Sequence, residues 1–203
     1  MATNRLLELG VKYRTQKVQH GFLEIYERYF HDLKNVRLLE IGVAEGASMK
    51  MWQEYFSNGY IYGVDKILNF KTNLENVFLS EGDICDKSTI DKLGNLVFDI
   101  IIDDGSHIAS EQLKAFDNLW DLLRPGGLYI VEDLFTLYDP EWNDQNENSI
   151  IDELYLRTKD ILVNGDSIQE VHLYGRNDIN GLLIMRKRKE EFRIQPLSEF
   201  NVF

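Results

Sequence analysis

The sequence predicts an α/β fold built on a mostly parallel sheet, and three observations support that prediction. Residues 98–103 (FDIIID) and 128–133 (LYIVED) are apolar runs that stop in carboxylates, which is typical of strands buried on both faces. A stretch with helical periodicity separates them, so they form a parallel βαβ unit. Shorter apolar runs ending in glycine or an acid precede them. We therefore expect a Rossmann-like three-layer sandwich whose seven-stranded sheet has an antiparallel C-terminal strand.

Residue periodicity places the other elements in chain order. Apolar residues three and four apart over 18–33 predict a helix, within a helical N-terminal segment at 1–34. Further strands are predicted at 36–42, 60–65, 77–83, 169–174 and 182–186, and further helices at 47–56, 86–93 and 149–163. The helix after residue 107 should stop at 124–127 (RPGG), where proline and glycine forbid continuation. Residues 134–148 lack a clear period and are predicted to form a lid loop at the ligand edge.

Composition narrows the class of protein. A chain of 203 residues is long enough for one domain over 1–203 with a substantial core. A formal net charge of −12 is a poor match to nucleic acid, which is bound by clustered Lys and Arg. The single cysteine, Cys85, allows no internal disulfide, and no apolar window is long enough to span a membrane. We expect a cytoplasmic protein without nucleic-acid or membrane partners; a homo-oligomer remains open.

Three strand ends carry the residues of a nucleoside-binding edge. Gly42 and Gly46 lie in the turn between the first strand and the following helix. Glycine is needed there if a ligand is to approach the backbone closely. Asp65, about twenty residues further along, ends the next strand, where an acid can accept hydrogen bonds from ribose hydroxyls. Asp83 ends the third strand and is a candidate contact for a base or ribose. Each signal alone is weak, and the alternative is ordinary glycine turns with solvated acids, but their order along the chain favours a cofactor site.

Glu40 distinguishes between two cofactors that bind such an edge. A carboxylate just before the glycine turn suits the ammonium and sulfonium groups of S-adenosylmethionine and disfavours a pyrophosphate. The third glycine of the dinucleotide fingerprint is also missing, since Ala47 and Ser48 stand there. The sequence therefore favours S-adenosylmethionine over NAD, and a nicotinamide oxidoreductase is the rival interpretation.

The two long apolar runs end in a second cluster of polar residues. Because parallel strands end at one edge of the sheet, Asp103, Asp104, His107, Glu132 and Asp133 are expected to converge there. Clustered carboxylates suit Mg²⁺ or a similar hard cation. Such a cation can chelate two neighbouring hydroxyls and lower the pKa of one of them.

At these residues the sequence resembles the class I S-adenosylmethionine-dependent methyltransferases, whose glycine motif matches residues 40–46. More narrowly, residues 102–107 (IDDGSH) and 123–133 (LRPGGLYIVED) are similar to the metal-dependent macrolide-sugar and rhamnosyl O-methyltransferases, a cephalosporin hydroxylase-like family. Residues 15–22 (TQKVQHGF) are similar to that family's N-terminal Thr-Asp-Lys-x-x-His-Gly-Tyr, from which Gln16 and Phe22 depart.

This resemblance implies a role for each matched residue. Asp104, Glu132 and Asp133 would bind a divalent metal, Mg²⁺ in the first instance, and His107 would be the general base. The predicted cofactor contacts are Glu40, Gly42, Gly46, Ser48, Asp65, Asp83, Asp103, Lys17 and His20. For Lys17 and His20 the alternative is a polar face of the first helix. The alternative for His107 is a helix cap, and for the Glu132–Asp133 pair it is a solvated strand end.

We expect an S-adenosylmethionine-dependent O-methyltransferase that acts with metal assistance on a hydroxyl of a sugar or glycosylated small molecule. A sugar with vicinal hydroxyls would offer the metal two oxygens. Two alternatives remain open: a non-catalytic cofactor-binding or assembly protein, and a methyltransferase of a catechol-like small molecule. The chain is silent on the identity of the acceptor.

Overall fold

The structure is a computed structural model that describes residues 4–139, 149–156, 167–176 and 179–189. The helices are α1 (Arg5–Tyr13), α2 (Phe22–Phe30), α3 (Ala47–Tyr55), α4 (Lys87–Leu93), α5 (Ala109–Leu119) and α6 (Ile150–Leu156). The strands are β1 (Arg37–Ile41), β2 (Tyr60–Asp65), β3 (Val77–Glu81), β4 (Phe98–Asp103), β5 (Leu123–Val131), β6 (Ile168–Arg176) and β7 (Ile179–Lys187). Short 3-10 helices cover Gln16–Val18, Trp120–Leu122 and Leu134–Tyr138.

The seven strands form one sheet in the order β3-β2-β1-β4-β5-β7-β6. Strands β1 to β5 pair in parallel, whereas β7 runs antiparallel to both β5 and β6. The predicted fold, including the antiparallel C-terminal strand, is confirmed. As a result, the carboxyl ends of β1, β2, β4 and β5 lie side by side along one edge.

Helices cover both faces of the sheet, and alternating residues of the central strands point to each. Ile100 and Ile102 belong to a core with the residues of α1, α2 and α3. Ile101 and Tyr129 belong to a second core with α5 and α6. Burial on both faces explains why these strands are continuous apolar runs without a polar alternation.

The helix predicted over 18–33 is shorter in the structure, where α2 covers Phe22–Phe30. A further helix, α1, precedes it, and a 3-10 turn over Gln16–Val18 lies between the two. Gly21 has φ of 70° at the start of α2, a left-handed conformation that stops any helix running through it. The break has a functional consequence, because the turn carries Lys17 into the sheet edge, where it is 2 % exposed.

The stop predicted at residues 124–127 is displaced. Helix α5 ends at Leu119, and residues 124–127 already belong to β5. There they form a bulge, since Phe98 pairs with Leu123 and Ile100 pairs with Leu128. Proline and glycine are tolerated in a strand at such a bulge.

The predicted lid is described only in part. Residues 134–138 form a 3-10 helix, while residues 140–148, including Trp142, lie outside the described residues. The helix predicted over 149–163 begins at Ile150 and is described to Leu156. Among the described residues, no helix has the length and apolar character needed to cross a membrane.

Candidate active site

The glycine turn after β1 is fixed by backbone contacts. Gly42 has φ of +87°, and a Cβ atom there would lie 1.9 Å from the carbonyl oxygen of Asp104. The carboxylate of Asp65 accepts hydrogen bonds from the amides of Val43 (2.8 Å) and Ala44 (3.0 Å). Gly42 is therefore required because the ends of β1 and β4 touch there, in addition to any ligand that approaches it.

Gly42→Ala is expected to lower the free energy of unfolding by more than about 3 kcal/mol, since it adds a collision with backbone to an unfavourable φ. Gly94→Ala is the matched control: Gly94 also has positive φ, but a Cβ would meet nothing within 4 Å. Gly94→Ala should lower the free energy of unfolding by about 1–3 kcal/mol, which is the cost of the unfavourable φ alone. Urea unfolding of both variants measures the difference, and equal costs would contradict the steric role of Gly42.

A cavity of about 340 Å³ lies beside this turn. Its lining includes Gly42, Asp65, Asp103, Asp104 and His107, so several predicted cofactor residues meet around one space. Such a position outside the carboxyl ends of parallel strands is where α/β sheets bind nucleotides. The cofactor roles of these residues remain predictions, but the structure places them together.

Three other predicted cofactor residues have different surroundings. Glu40 is fully buried, with its Oε2 accepting a hydrogen bond from the Trp52 indole at 3.0 Å. Ser48 hydrogen-bonds to Glu40. The carboxylate of Asp83 lies 3.1 Å from Lys66 Nζ and accepts from the Cys85 amide at 2.8 Å. None of the three is among the residues that line the 340 Å³ cavity, and their roles as cofactor contacts remain predictions.

Asp103 ends β4 with an almost fully buried carboxylate, 2 % exposed. Its Oδ1 accepts a hydrogen bond from the Gly105 amide at 3.3 Å. Burial raises the pKa of this carboxyl to about 7, against the opposing effect of that hydrogen bond. Asp103 lines the 340 Å³ cavity and is not among the residues that line the cavity of the acid cluster; its role as a cofactor contact remains a prediction.

A second cavity, of about 430 Å³, adjoins the first and contains the acid cluster. Asp104, His107, Gln16 and Ala44 line both cavities. The second is also lined by Lys17, His20, Glu132 and Asp133. Gln16, which departs from the family motif, is therefore positioned at the boundary between the two spaces.

The outer part of this cluster is a set of cation donors. Asp104, His107 and Asp133 each offer a ligand atom within 4.8 Å of the others. His107 Nε2 lies 3.7 Å from Asp133 Oδ2 and 4.0 Å from Asp104 Oδ1. His20 Nδ1 lies 3.4 Å from Asp133 Oδ1, which places His20 beside the predicted metal ligand instead of the cofactor cavity.

The inner part of the cluster surrounds Lys17. Its Nζ lies 2.6 Å from Asp104 Oδ2, 2.7 Å from Glu132 Oε1 and 2.9 Å from Glu40 Oε1. The hydroxyl of Tyr26 also donates to Glu132 Oε1, at 2.5 Å. Asp104 is thus the residue that the inner and outer parts share.

Charge and burial work against each other in this inner part. Burial would lower the pKa of Lys17, but Asp104, Glu132 and Glu40 together hold it well above its usual value, so the side chain is an ammonium. Burial raises the pKa of Glu40 and, with Asp104, raises that of Glu132 well above its usual range. Three carboxyl groups face one ammonium, and the raised pKa of Glu40 and of Glu132 means that burial disfavours their ionised form. A divalent cation would favour ionisation of these carboxyls and supply the positive charge that more than one carboxylate needs.

Two residues of the site have left-handed backbones although neither is glycine. His107 has φ of 60° and Asp133 has φ of 57°. The Thr136 hydroxyl lies 2.8 Å from the carbonyl oxygen of His107 and 3.0 Å from that of Asp133. Such conformations cost free energy and persist where surrounding contacts fix them. Thr136 therefore joins the ends of β4 and β5 at the donor set.

Sequence reasoning did not find Tyr26, Trp52 or Thr136 as parts of the site. Tyr26 and Trp52 fall on apolar helical stripes, where an aromatic residue is most often part of the core. Their polar atoms contact the buried carboxylates of Glu132 and Glu40. A buried Tyr or Trp commonly seeks a hydrogen-bond partner, and this was the available signal.

Comparison with known proteins places this geometry in context. No protein-family model matches the chain. Mycinamicin VI 2''-O-methyltransferase of Micromonospora griseorubida is 38% identical over 153 residues, which cover 69% of this chain and 38% of the relative. Demethylmacrocin O-methyltransferase of Streptomyces fradiae is 35% identical over 181 residues, or 83% of this chain and 45% of the relative.

Comparison with solved structures agrees with the sequence comparison. MycE methyltransferase, in complex with Mg, SAH and mycinamycin VI, superposes with a TM-score of 0.79 at 30% identity. The superposition covers 91% of this chain and 53% of MycE. The chain is a homologue of sugar O-methyltransferases. It has their class I methyltransferase fold, and it spans less than half the length of the two curated relatives compared above.

The residues of this homologue fit the groups that MycE contains. The donor set of Asp104, Asp133 and His107 supplies oxygen and imidazole ligand atoms within 4.8 Å of each other, and carboxylates are ligands that suit Mg²⁺. The neighbouring cavity has a glycine turn and an acid at the end of β2, which suits a nucleoside.

Proposed function

We propose that this protein is an S-adenosylmethionine-dependent O-methyltransferase that transfers a methyl group, with the help of a divalent cation, to a hydroxyl of a sugar or glycosylated small molecule. One observation carries the proposal: the cation donors and the glycine turn open into adjoining cavities that share Asp104 and His107. A methyl donor in one cavity and a chelated hydroxyl in the other would meet at this boundary. The homology to sugar O-methyltransferases supports the same activity.

The cation would be held by Asp104, Glu132 and Asp133, with Mg²⁺ as the expected ion. Lys17 contacts Oδ2 of Asp104 and Oε1 of Glu132, so the second oxygen of each carboxylate is the natural ligand atom. A divalent cation held there would supply a Lewis acid, whose chemistry is to lower the pKa of a bound hydroxyl. Two neighbouring hydroxyls of a sugar provide a bidentate ligand, which is why a vicinal diol is the proposed acceptor.

His107 would accept the proton that the acceptor hydroxyl loses. Its ring lines both cavities, so it can reach the boundary where the hydroxyl and the methyl group meet. The carboxylates of Asp133 and Asp104 lie 3.7 and 4.0 Å from Nε2 and would help to hold the ring at this boundary. A positioned base of this kind contributes about 10²–10⁴-fold to the rate.

The cofactor would occupy the cavity beside Gly42, with the methyl group directed at the acid cluster. The carboxylate of Asp65 fixes the glycine turn by accepting hydrogen bonds from two backbone amides. Asp65 also lines the same cavity, where it could accept a hydrogen bond from a ribose hydroxyl. The ring of Phe70 packs over Gly46, where a Cβ would approach it within 2.4 Å. The absence of a side chain at Gly46 thus lets Phe70 pack directly against the turn that would contact the cofactor.

Cofactor binding is tested by thermal unfolding. S-adenosylhomocysteine should raise the midpoint of unfolding with increasing concentration, because a ligand that binds only the folded state stabilises it. NADH should leave the midpoint unchanged, since the glycine turn is preceded by an acid and followed by no third glycine. The reverse pattern would favour the oxidoreductase.

Activity is tested by following transfer of a labelled methyl group from S-adenosylmethionine, with MgCl₂, to a panel of acceptors. The panel contains free deoxysugars, nucleotide-linked sugars, glycosylated polyketides and catechols. Transfer to a sugar supports the proposal, and transfer only to catechols would replace the acceptor class. Cofactor binding without transfer to any acceptor would favour a non-catalytic protein.

A further inference from the structure

Lys17 is an unexpected residue to find at the centre of a cation site. It is 2 % exposed, and its ammonium lies within 2.9 Å of three carboxylates, one on β1 and one directly after each of β4 and β5. A lysine is almost never buried to this degree unless it is paired. The three ion pairs therefore define what this side chain does in the fold.

The contacts of Lys17 occupy one side of the acid cluster. It contacts Asp104 through Oδ2, while Oδ1 of the same carboxylate faces His107 Nε2. It contacts Glu132 through Oε1, which the Tyr26 hydroxyl also contacts. On the far side, Glu40 is fixed by the Trp52 indole. Each carboxylate is thus oriented by the lysine and a second neighbour, with the outer donor set of Asp104, His107 and Asp133 left facing the cavity.

We propose that Lys17 is a positioning residue whose ammonium serves as a permanent cation of the inner cluster. It holds Asp104 and Glu132 in place before any divalent ion binds, and it keeps the affinity for that ion low. The statement about the divalent ion rests on the proposed function; the statement about the inner cluster does not.

The low affinity follows from repulsion. A divalent ion bound by Asp104 would lie close to the ammonium that shares this carboxylate, and like charges at such distances repel strongly in a desolvated site. The ion would then be held well only when oxygens of the acceptor complete its coordination. Lys17 would in this way make tight ion binding depend on the acceptor.

The first test is the midpoint of thermal unfolding of Lys17→Met, which keeps an unbranched side chain one atom shorter and removes its charge. In EDTA the midpoint should fall by about 10 °C, because buried carboxylates lose their counter-ion. Saturating MgCl₂ should restore most of this loss in the variant and change the wild type little. Lys87→Met is the control, since Lys87 forms an exposed helical ion pair with Asp91. An unchanged midpoint for Lys17→Met in EDTA would overturn the proposal.

If Lys17→Met does not fold in EDTA, the double variant Lys17→Met/Glu40→Gln decides. It removes one carboxylate together with the ammonium, and Glu40 is outside the outer donor set. We expect the double variant to fold in EDTA, because the number of unbalanced buried carboxylates is reduced. A double variant that also fails to fold in EDTA would show that Glu40 does not need the lysine as a counter-ion, and this would overturn the proposal.

The second test is the dissociation constant for Mn²⁺ alone, measured by electron paramagnetic resonance in the absence of cofactor and acceptor. Lys17→Met should bind Mn²⁺ at least about tenfold more tightly than the wild type, because the repulsion is gone. Equal or weaker binding would refute the effect of Lys17 on ion affinity. If neither protein binds Mn²⁺ while the stability results hold, the metal-assisted function fails and the counter-ion role of Lys17 stands.

Discussion

Asp133→Asn is expected to reduce methyl transfer by about 10³-fold, because it removes a charged ligand from a cation that supplies several kcal/mol of stabilisation. The asparagine keeps the shape of the side chain, so the fold and the neighbouring cofactor cavity should be preserved. The same reasoning predicts that excess EDTA abolishes transfer in the wild type and leaves S-adenosylhomocysteine binding intact.

Three measurements separate the outcomes for this variant. Methyl transfer gives the rate, Mn²⁺ titration gives the ion affinity, and calorimetric titration of S-adenosylhomocysteine gives the cofactor affinity. Asp91→Asn is the matched control, since Asp91 is an exposed residue of α4 whose carboxylate pairs with Lys87. Transfer by Asp133→Asn at the wild-type rate, with Mn²⁺ bound equally well, would exclude Asp133 as a ligand.

His107→Asn should lower kcat by about 10²–10⁴-fold with little change in cofactor affinity, because an amide cannot take up the proton. Asparagine is preferred to alanine here, since His107 has φ of 60° and asparagine tolerates this conformation better than most residues.

The geometry also allows His107 to be a cation ligand, as its ring stands with Asp104 and Asp133 within 4.8 Å. Mn²⁺ titration of His107→Asn distinguishes the two roles. A base leaves the ion affinity unchanged, whereas a ligand lowers it along with the rate. His31→Asn is the control, because His31 is exposed on the surface beside Asp32. A variant as active as the wild type would exclude both roles.

The sequence predicted well those features that depend on neighbours along the chain. The ends of β2 at Asp65 and β4 at Asp103 were predicted correctly from apolar runs. The convergence of Asp104, His107 and Asp133 followed from the parallel order of strands alone. Local pattern and one topological rule are enough for this part of the site.

The inner cluster could not be predicted, because its contacts join distant parts of the chain. Lys17 meets Asp104 across 87 residues and Glu132 across 115. Glu40 was expected to face the ammonium of a ligand, and in the structure its ammonium partner is Lys17. The charge argument identified the kind of partner, but the break between α1 and α2 that delivers the lysine depends on tertiary packing.

The contact of Gly42 with the carbonyl of Asp104 has a consequence for how this scaffold can diversify. The ends of β1 and β4 touch there through main chain, so exchanging side chains cannot move these two strand ends apart. Variation in the lining is open instead to side chains such as that of Gln16, which lines both cavities. The two spaces can therefore change in shape and polarity while the backbone between β1 and β4 stays the same.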